Sequence, residues 1–401
     1  MTALPDTETS KLSSNVRALG WVSLLSDVHS ETILPLLPLF VTQVLGLNKS
    51  FLGLIEGVAD STASLLKVVS GWYSDRIRHR KKPTAAGYIL STVTKPLLAL
   101  SATGFHVLAI RFVDRVGKGI RTAPRDALIA DSASTGSLGR AYGFHRMMDT
   151  LGAVAGTLLA YVMFRMLGGS EGDRMRIIFL IATVFGIAAV VILLTRVREP
   201  EQPITVDIET DDPGSDSRQK RLAAFVGVNA IFHLGMFSYA FFLLRAQSIG
   251  LHSTNIPLIY LLYNIVYAVT SLPLGRLSDA IGRKPLILLA YCSYAVLCLG
   301  LAFAAHVWQA WLLFALYGIH SATVNTASRA LVAQLSEVRS RATALGIYHT
   351  SVGIAVLPAS LIAGVLWDRY GARAPFLFAG ILALLASAAM ASLSLDSHME
   401  R

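Results

Sequence analysis

The sequence predicts an all-α integral membrane protein with twelve transmembrane helices in two pseudo-symmetric six-helix bundles. Three observations carry that expectation. Hydrophobic residues make up 54% of the chain and charged residues only 15%, against about 25% charged in an ordinary soluble domain. Apolar runs at 84–110, 175–197, 286–305 and 374–395 approach or exceed the roughly 20 residues that a helix needs to cross the hydrocarbon core. Finally, segments of the first half recur in the second at an offset of about 203–204 residues.

Window hydropathy places the spans at about 16–45, 51–74, 84–104, 106–130, 140–167, 175–197, 222–247, 254–275, 286–305, 307–333, 341–367 and 374–395. In the first, SDVHSETILPLLP sets Asp27 and Glu31 on one helical face, four residues apart, with His29 turned away. Pro35 and Pro38 follow and predict a kink, because proline removes a helical donor. Glu56 and Asp60 repeat the four-residue spacing in the second span, with Lys67 on the same side. The fourth span holds RFVDRVGKGIRTAPRD, in which Arg111, Arg115, Lys118, Arg121 and Arg125 follow a helical stripe, with Asp114 beside it and Asp126 near its end. Arg146 and Asp149 of the fifth span read as i,i+3 partners. An ionisable group at mid-membrane costs roughly 2.5–3.5 kcal/mol on insertion scales, so these side chains are expected to face a cavity or one another.

Residues 198–221 are polar and rich in Pro, Asp, Glu, Gly and Ser, which reads as a cytoplasmic linker. It divides a bundle at 1–197 from one at 222–401. The second bundle is less charged and more aromatic. Its seventh span has His233, Tyr239, Phe241, Phe242 and Arg245, and the eighth has Tyr260, Tyr263, Asn264 and Tyr267. The tenth has Tyr317, His320, Asn325 and Arg329, and the eleventh Tyr348 and His349. Aromatic stripes in membrane helices serve packing more often than ligand contact. The Tyr263, Asn264 and Tyr267 group is the exception chosen as cargo-binding, because its polar tips need partners. Cys292 and Cys298 lie six apart in one span and point in different directions, so they are expected as packing residues, neither disulfide nor metal pair.

Lys and Arg cluster between spans on one side. DRIRHRKKP at 75–83 holds five of them, GRLSDAIGRKP at 275–285 is basic, and the opposite connections GLNKS, TGFH, GLHST and AAH share one Lys. The loop at 165–176 breaks the trend with three arginines. This bias predicts that both termini lie in the cytoplasm; the expected location is a cell membrane, a bacterial inner membrane. The net charge of +10 is spread over membrane flanks, which argues against a nucleic-acid partner. The polar start MTALPDTETSKLSSN has no apolar core segment, so no cleaved signal peptide is expected.

The internal matches are GWYSDRIRHRKKP with GRLSDAIGRKP, RDALIAD with SRALVAQ, and GRAYGFHR with SRATALGIYH. Three matches in register argue for duplicated halves. The pattern G-x-x-x-D-(R/K)-x-G-(R/K)-(R/K) after the second helix of each half resembles the signature of the major facilitator superfamily. It is complete at Gly275, Asp279, Gly282, Arg283 and Lys284. In the first half Gly71, Asp75 and Arg76 match, while Arg78 replaces the glycine. RFVDRVGKG resembles that family's R-F-x-Q-G-x-G-x-G pattern through Arg111, Gly117 and Gly119, with Asp114 and Arg115 in place of Gln and Gly. LGAVAG, with Gly152 and Gly156, is a loose version of the antiporter motif without its proline.

That resemblance implies a secondary transporter whose halves rock around a midplane site, usually as a single chain. The expected cargo is a small organic compound exported against protons; the alternative is uptake or export of an organic anion through a cationic cavity. Asp27, Glu31, Glu56, Asp60, Asp114 and Asp149 are the expected proton-coupling residues. Arg111, Arg115, Lys118, Arg146, Tyr263, Asn264, Tyr267, His320, Asn325 and Arg329 are expected at the cargo. Gly71, Asp75, Arg76, Gly275, Asp279, Arg283 and Lys284 are expected to gate. An enzyme is not expected: no H-x-x-x-H or H-E-x-x-H spacing and no G-x-x-x-x-G-K-[ST] stretch occurs, and neither cofactor nor metal is called for.

Overall fold

The computed structural model describes residues 12–77, 79–132, 138–199, 215–335 and 341–393. Among them the chain forms twelve helical spans and no strand. The first six are α1 (Ser14–Ile33), α2 (Lys49–Ile77), α3 (Lys81–Thr94), α4 (Gly104–Asp131), α5 (Leu138–Met166) and α6 (Glu171–Arg196). The seventh, α7, is in two pieces, Ser215–Leu234 and Tyr239–Ser248. The remainder are α8 (Ile256–Ile281), α9 (Arg283–Phe303), α10 (Val307–Leu335), α11 (Arg341–Tyr370) and α12 (Ala374–Ser392). Each expected span therefore corresponds to one element. Helix α7 starts at Ser215, so positions 215–221 of the expected linker are helical; 200–214 lie outside the described residues.

Seven of these segments are long and apolar enough to cross a membrane on composition alone. Helices α2 and α4 fall outside that set because of their ionisable residues. Exposed apolar side chains form lipid-facing stripes, such as Leu180, Val184, Ile187 and Val191 on α6 and Leu289, Val296 and Phe303 on α9. Helix starts are capped by side-chain oxygens where no partner helix does so: Ser13 accepts from Val16 N, Thr103 from His106 N and Ser170 from Asp173 N.

The first span bends as its prolines predict. Helix α1 ends at Ile33, and a turn at Leu37–Leu39 and a π-helical segment at Phe40–Val44 continue it. Pro38 cannot donate to the Leu34 carbonyl, which accepts instead from the Tyr239 hydroxyl at 3.2 Å. The break in α7 between Leu234 and Tyr239 has no proline to announce it. It sits about 203 residues after the α1 bend, at the duplicated position.

The α2–α3 connection, with Lys81 and Lys82, marks a basic face of the helix array; the α1–α2 connection at 45–48 marks the far face. Toward the far face the two halves pack tightly along α2 and α11. A side chain on Gly53 would collide with the Ser360 carbonyl, and one on Gly57 with Leu357. The Ser61 hydroxyl donates to the Gly353 carbonyl in the same seam. The seam covers residues 49–64 against 353–368, roughly 24 Å at 1.5 Å per residue. Small residues let the backbones approach, which is the main source of helix association inside a membrane.

Candidate functional site

Helix α4 carries its charges into the interior because its glycines dock it on two neighbours. A Cβ on Gly117 would lie 2.7 Å from the Gly87 carbonyl of α3. One on Gly119 would lie 2.5 Å from Leu66 Cβ of α2, and the Ser70 hydroxyl donates to the Gly119 carbonyl at 2.8 Å. With those faces fixed, Arg111, Asp114, Arg115, Lys118 and Arg121 line one small cavity of about 30 Å³. Asp27, Ser30 and Glu31 of α1 and Leu34 just after it, with Ser91 and Lys95 of the third span, complete its walls. The space is enough for a water or two.

Two ion pairs are fixed here. Arg111 Nη2 donates to both Glu56 oxygens, at 2.8 and 3.0 Å, and both side chains are almost fully buried. Lys95 Nζ lies 3.2 Å from Asp114 Oδ1, which also accepts from the Ser91 hydroxyl at 2.7 Å. Lys95 further donates to Ser30 Oγ at 2.9 Å, and Arg111 Nη1 lies 3.7 Å from Asp114 Oδ2. Lys95 was absent from the residues expected at a site. As the one base inside the apolar run of the third span, followed by Pro96, it was detectable. Asp27 and Glu31 differ from Glu56 and Asp114 in having no salt bridge among the described residues, and Glu31 Oε2 and Arg115 Nε have no hydrogen-bond partner there.

Glycines also seat the two carboxylates of α1. Helices α1 and α5 approach so closely that a Cβ on Gly152 would meet the Leu24 carbonyl at 2.4 Å and Asp27 Cβ at 2.9 Å. On Gly156 it would meet the Val28 carbonyl at 2.7 Å and Glu31 Cβ at 3.1 Å. The LGAVAG stretch is thus the bed on which Asp27 and Glu31 rest.

A second cavity, of about 190 Å³, lies between the halves. Asp60 is its contribution from α2; Met236, Phe237 and Ser238 come from the α7 break, Tyr239 from the second piece of α7, and Tyr260, Tyr263, Tyr317 and Val356 from α8, α10 and α11. Ser238 ties the break in place, donating from Oγ to Glu56 Oε2 at 3.2 Å and from its N–H to Ser360 Oγ at 3.3 Å. The Tyr260 hydroxyl lies beside the Glu31 carboxylate, which links a lining residue of this cavity to one of the small cavity.

Several expected site residues are placed elsewhere. Arg146 and Asp149 do not pair. Asp149 accepts from the Ser23 hydroxyl and lies 3.7 Å from His145 Nδ1, whereas Arg146 reaches the other half, donating to the Tyr267 hydroxyl. Asn264 Nδ2 donates to Thr157 Oγ1 at 3.3 Å; Asn264 and Tyr267 therefore hold α8 to α5, and only Tyr263 of that group lines the cavity. His320 is buried behind Tyr317 with Nδ1 2.9 Å from the Ala290 carbonyl, and Asn325 donates to Ser321 of its own helix at 2.8 Å. Arg121 stacks on Tyr88 at 4.1 Å. Arg245 of the seventh span caps the end of α9 by donating to the Leu301, Ala302 and Ala304 carbonyls at 2.8, 3.2 and 3.1 Å. The side chain of Arg329 lies outside the described residues.

Of the expected gating residues, the side chains of Asp75 and Asp279 and the surroundings of Gly275 lie outside the described residues. Gly71 faces Ala123 of α4 at 3.3 Å from a virtual Cβ, and Arg76 lies over Trp72 at 5.5 Å. Gly282 joins α8 to α9 at φ +88°, a conformation that favours glycine; Arg283 opens α9 directly after it. Lys284 Nζ donates to the Ala391 and Leu393 carbonyls at the end of α12, at 3.2 and 2.7 Å. In the first half, where Arg78 replaces the glycine, the Glu199 carboxylate caps α3 by accepting from the Arg80 and Lys81 backbone N–H groups.

The sequence profile of the Major Facilitator Superfamily matches residues 19–228 and 223–400. An uncharacterized MFS-type transporter of Methanocaldococcus jannaschii is 40% identical over 94% of this chain and 94% of its own length. A multidrug resistance protein of Proteus mirabilis is 36% identical over 25% of each chain. The crystal structure of a point mutant of the nucleoside transporter NupG superposes with a TM-score of 0.80 at 13% identity, covering 94% of this chain and 99% of that one, a likeness of fold. With two duplicated six-helix bundles enclosing charged and aromatic cavities, the chain belongs to the major facilitator superfamily and is a multi-pass membrane transporter, not an enzyme.

Proposed function

We propose that the protein is a proton-coupled secondary transporter that exports a small organic compound by alternating access. The observation that carries this reading is the contrast among the interior carboxylates. Glu56 and Asp114 are held by Arg111 and Lys95, whereas Asp27 and Glu31 line the cavity beside Asp114 without a fixed cation. Carboxylates in a low-dielectric cavity without a committed partner exchange protons near neutral pH, and committed ones do not. Asp27 and Glu31 are the proton carriers in this reading. Glu56 and Asp114 keep Arg111 and Lys95 in place, and Asp149 ties α5 to α1 through Ser23.

The inter-half cavity takes the cargo. Tyr260 lines the inter-half cavity and its hydroxyl meets the Glu31 carboxylate of the small one, so protonation of Glu31 alters the wall that the cargo meets. The basic face is taken as cytoplasmic, with both termini there, and the α2–α11 seam then closes the outer side. Residues 1–197 and 222–401 act as the two moving bundles of a single chain. Export is favoured by the partial likeness to a multidrug resistance protein. The organic-anion reading has less support: three carboxylates share the small cavity with five cationic side chains, and Glu56 from behind engages one of those five.

Everted membrane vesicles energised to an acidic lumen, with an acridine dye reporting the gradient, test this reading against a panel of cationic, neutral and anionic aromatic compounds. A transported compound is expected to dequench the dye, and Asp27→Asn or Glu31→Gln is expected to abolish the response. Accumulation of a panel compound that continues undiminished after the gradient is collapsed sinks proton coupling.

A further inference from the structure

The inter-half cavity has a chemistry that narrows the cargo class, an inference that rests on reading it as the cargo site. Its walls are aromatic. Tyr239 and Tyr260 lie 5.4 Å apart between ring centres, Tyr260 and Tyr263 5.6 Å, and Tyr263 and Tyr317 4.7 Å. Phe237 closes the side formed by the α7 break. Against these rings stands one carboxylate, Asp60, one helical turn beyond Glu56 on α2. Asp60 has no hydrogen bond or salt bridge among the described residues. Arg111, a cation of the neighbouring helix, is held by Glu56 at 2.8 Å, and the Asp60 carboxylate faces the cavity.

We propose that this cavity selects an organic monocation, an ammonium or quaternary ammonium group on an apolar body, with its charge set between Asp60 and the tyrosine faces. Ring faces carry negative quadrupole density and attract cations within about 6 Å. A carboxylate in the same low-dielectric space adds an ion pair and repels anions. The tyrosine ladder already holds one cation within the molecule: Arg146 lies 5.6 Å from the Tyr267 ring centre, and Tyr267 stacks on Tyr263 at 6.2 Å. The ligand repeats that contact further up the same ladder.

Isothermal titration of the purified full-length protein in detergent, with three probes of matched aromatic body, tests the proposal. Benzyltrimethylammonium is the cation, benzyl alcohol the neutral compound and phenylacetate the anion. Saturable binding of the cation at least tenfold tighter than the other two is expected. Asp60→Asn is expected to remove that tenfold preference, a change of about 1.4 kcal/mol, and Tyr263→Leu to weaken the cation severalfold. Phenylacetate bound as tightly as the cation, no saturable binding of the cation, or an unaltered preference in folded Asp60→Asn protein overturns the proposal. The three-probe comparison on the unaltered chain decides even if a variant does not fold. Binding is read without a pH gradient, so a cation that binds but moves no protons counts against proton coupling alone.

Discussion

Asp368 of α11 holds the first turn of α2 across the boundary between the halves. Its Oδ1 accepts from the Lys49 N–H at 3.1 Å, and its Oδ2 from the Ser50 N–H at 2.7 Å and the Ser50 hydroxyl at 2.6 Å. Asn48 Oδ1 accepts from the Phe51 N–H at 2.9 Å, so three donors left free by the helix start are satisfied, two of them by the opposite half. The carboxylate also faces the positive end of the α2 dipole. It is a cap supplied across the boundary between the halves, and the proposed alternating-access cycle requires it to break when the far face opens. Asp368→Ala is expected to cost the closed state about 1–2 kcal/mol, the usual value of a cap. The measurement is maleimide labelling of a Ser360→Cys reporter in a Cys292→Ser background. Roughly tenfold faster labelling with Asp368→Ala is expected, and an unaltered rate shows that Asp368 does not secure the seam.

The Arg111–Glu56 pair predicts a stability effect of a different kind. Both side chains are almost fully buried, and Glu56 also accepts from Ser238 of the α7 break. Removing one partner of such a pair leaves an uncompensated charge and typically costs 3–5 kcal/mol. Glu56→Gln is expected to lower the melting temperature markedly, and Arg111→Met added to it is expected to restore a large part of the loss. If the double variant is as unstable as the sum of the two single ones, the pair is not the origin of the effect.

Tyr239 and Pro38 form a second testable couple. The Leu34 carbonyl lacks a helical donor because residue 38 is proline, and the Tyr239 hydroxyl replaces it. Tyr239→Phe is expected to cost about 0.5–1.5 kcal/mol, with the orphaned carbonyl as the reason. In a Pro38→Ala background the chain supplies its own donor, so the same change is expected to cost clearly less. Thermal unfolding of the four proteins in one detergent measures the coupling, and equal costs in both backgrounds would reject it.

These relationships show which parts of the molecule were readable from sequence. Asp27, Glu31, Arg111, Asp114 and Arg115 stood out because charge inside an apolar run is costly, and all five line one cavity. Their pairing was not readable, since it depends on the rotation and depth of α2, α3 and α4 relative to one another. Lys95 sits alone in its span, and its partner Asp114 lies on the next helix, so no i,i+4 pattern flagged it. Arg146 and Asp149 did satisfy an i,i+3 pattern and still turn to different helices. The break in α7 has Gly235 at its start and no proline, and hydropathy averages over it. The Asp368 cap joins residues more than 300 positions apart, and no local pattern marks it.

Gly152 carries the last prediction. Its place in LGAVAG is explained by contact with α1, where an added Cβ would come within 2.4 Å of the Leu24 carbonyl and 2.9 Å of Asp27 Cβ. The carbonyl is backbone and cannot swing aside, so α1 has to move. Gly152→Ala is expected to displace Asp27 within its cavity and to lower gradient-driven transport by tenfold or more. Alanine raises helix propensity by up to about 1 kcal/mol, which offsets part of the strain, so thermal stability is expected to fall much less than transport does. Gly143, on the same helix with nothing within 4 Å of a virtual Cβ, is the control, and Gly143→Ala is expected to leave transport unchanged. Equal effects at the two positions would show that helix flexibility matters here and that the seating of Asp27 does not.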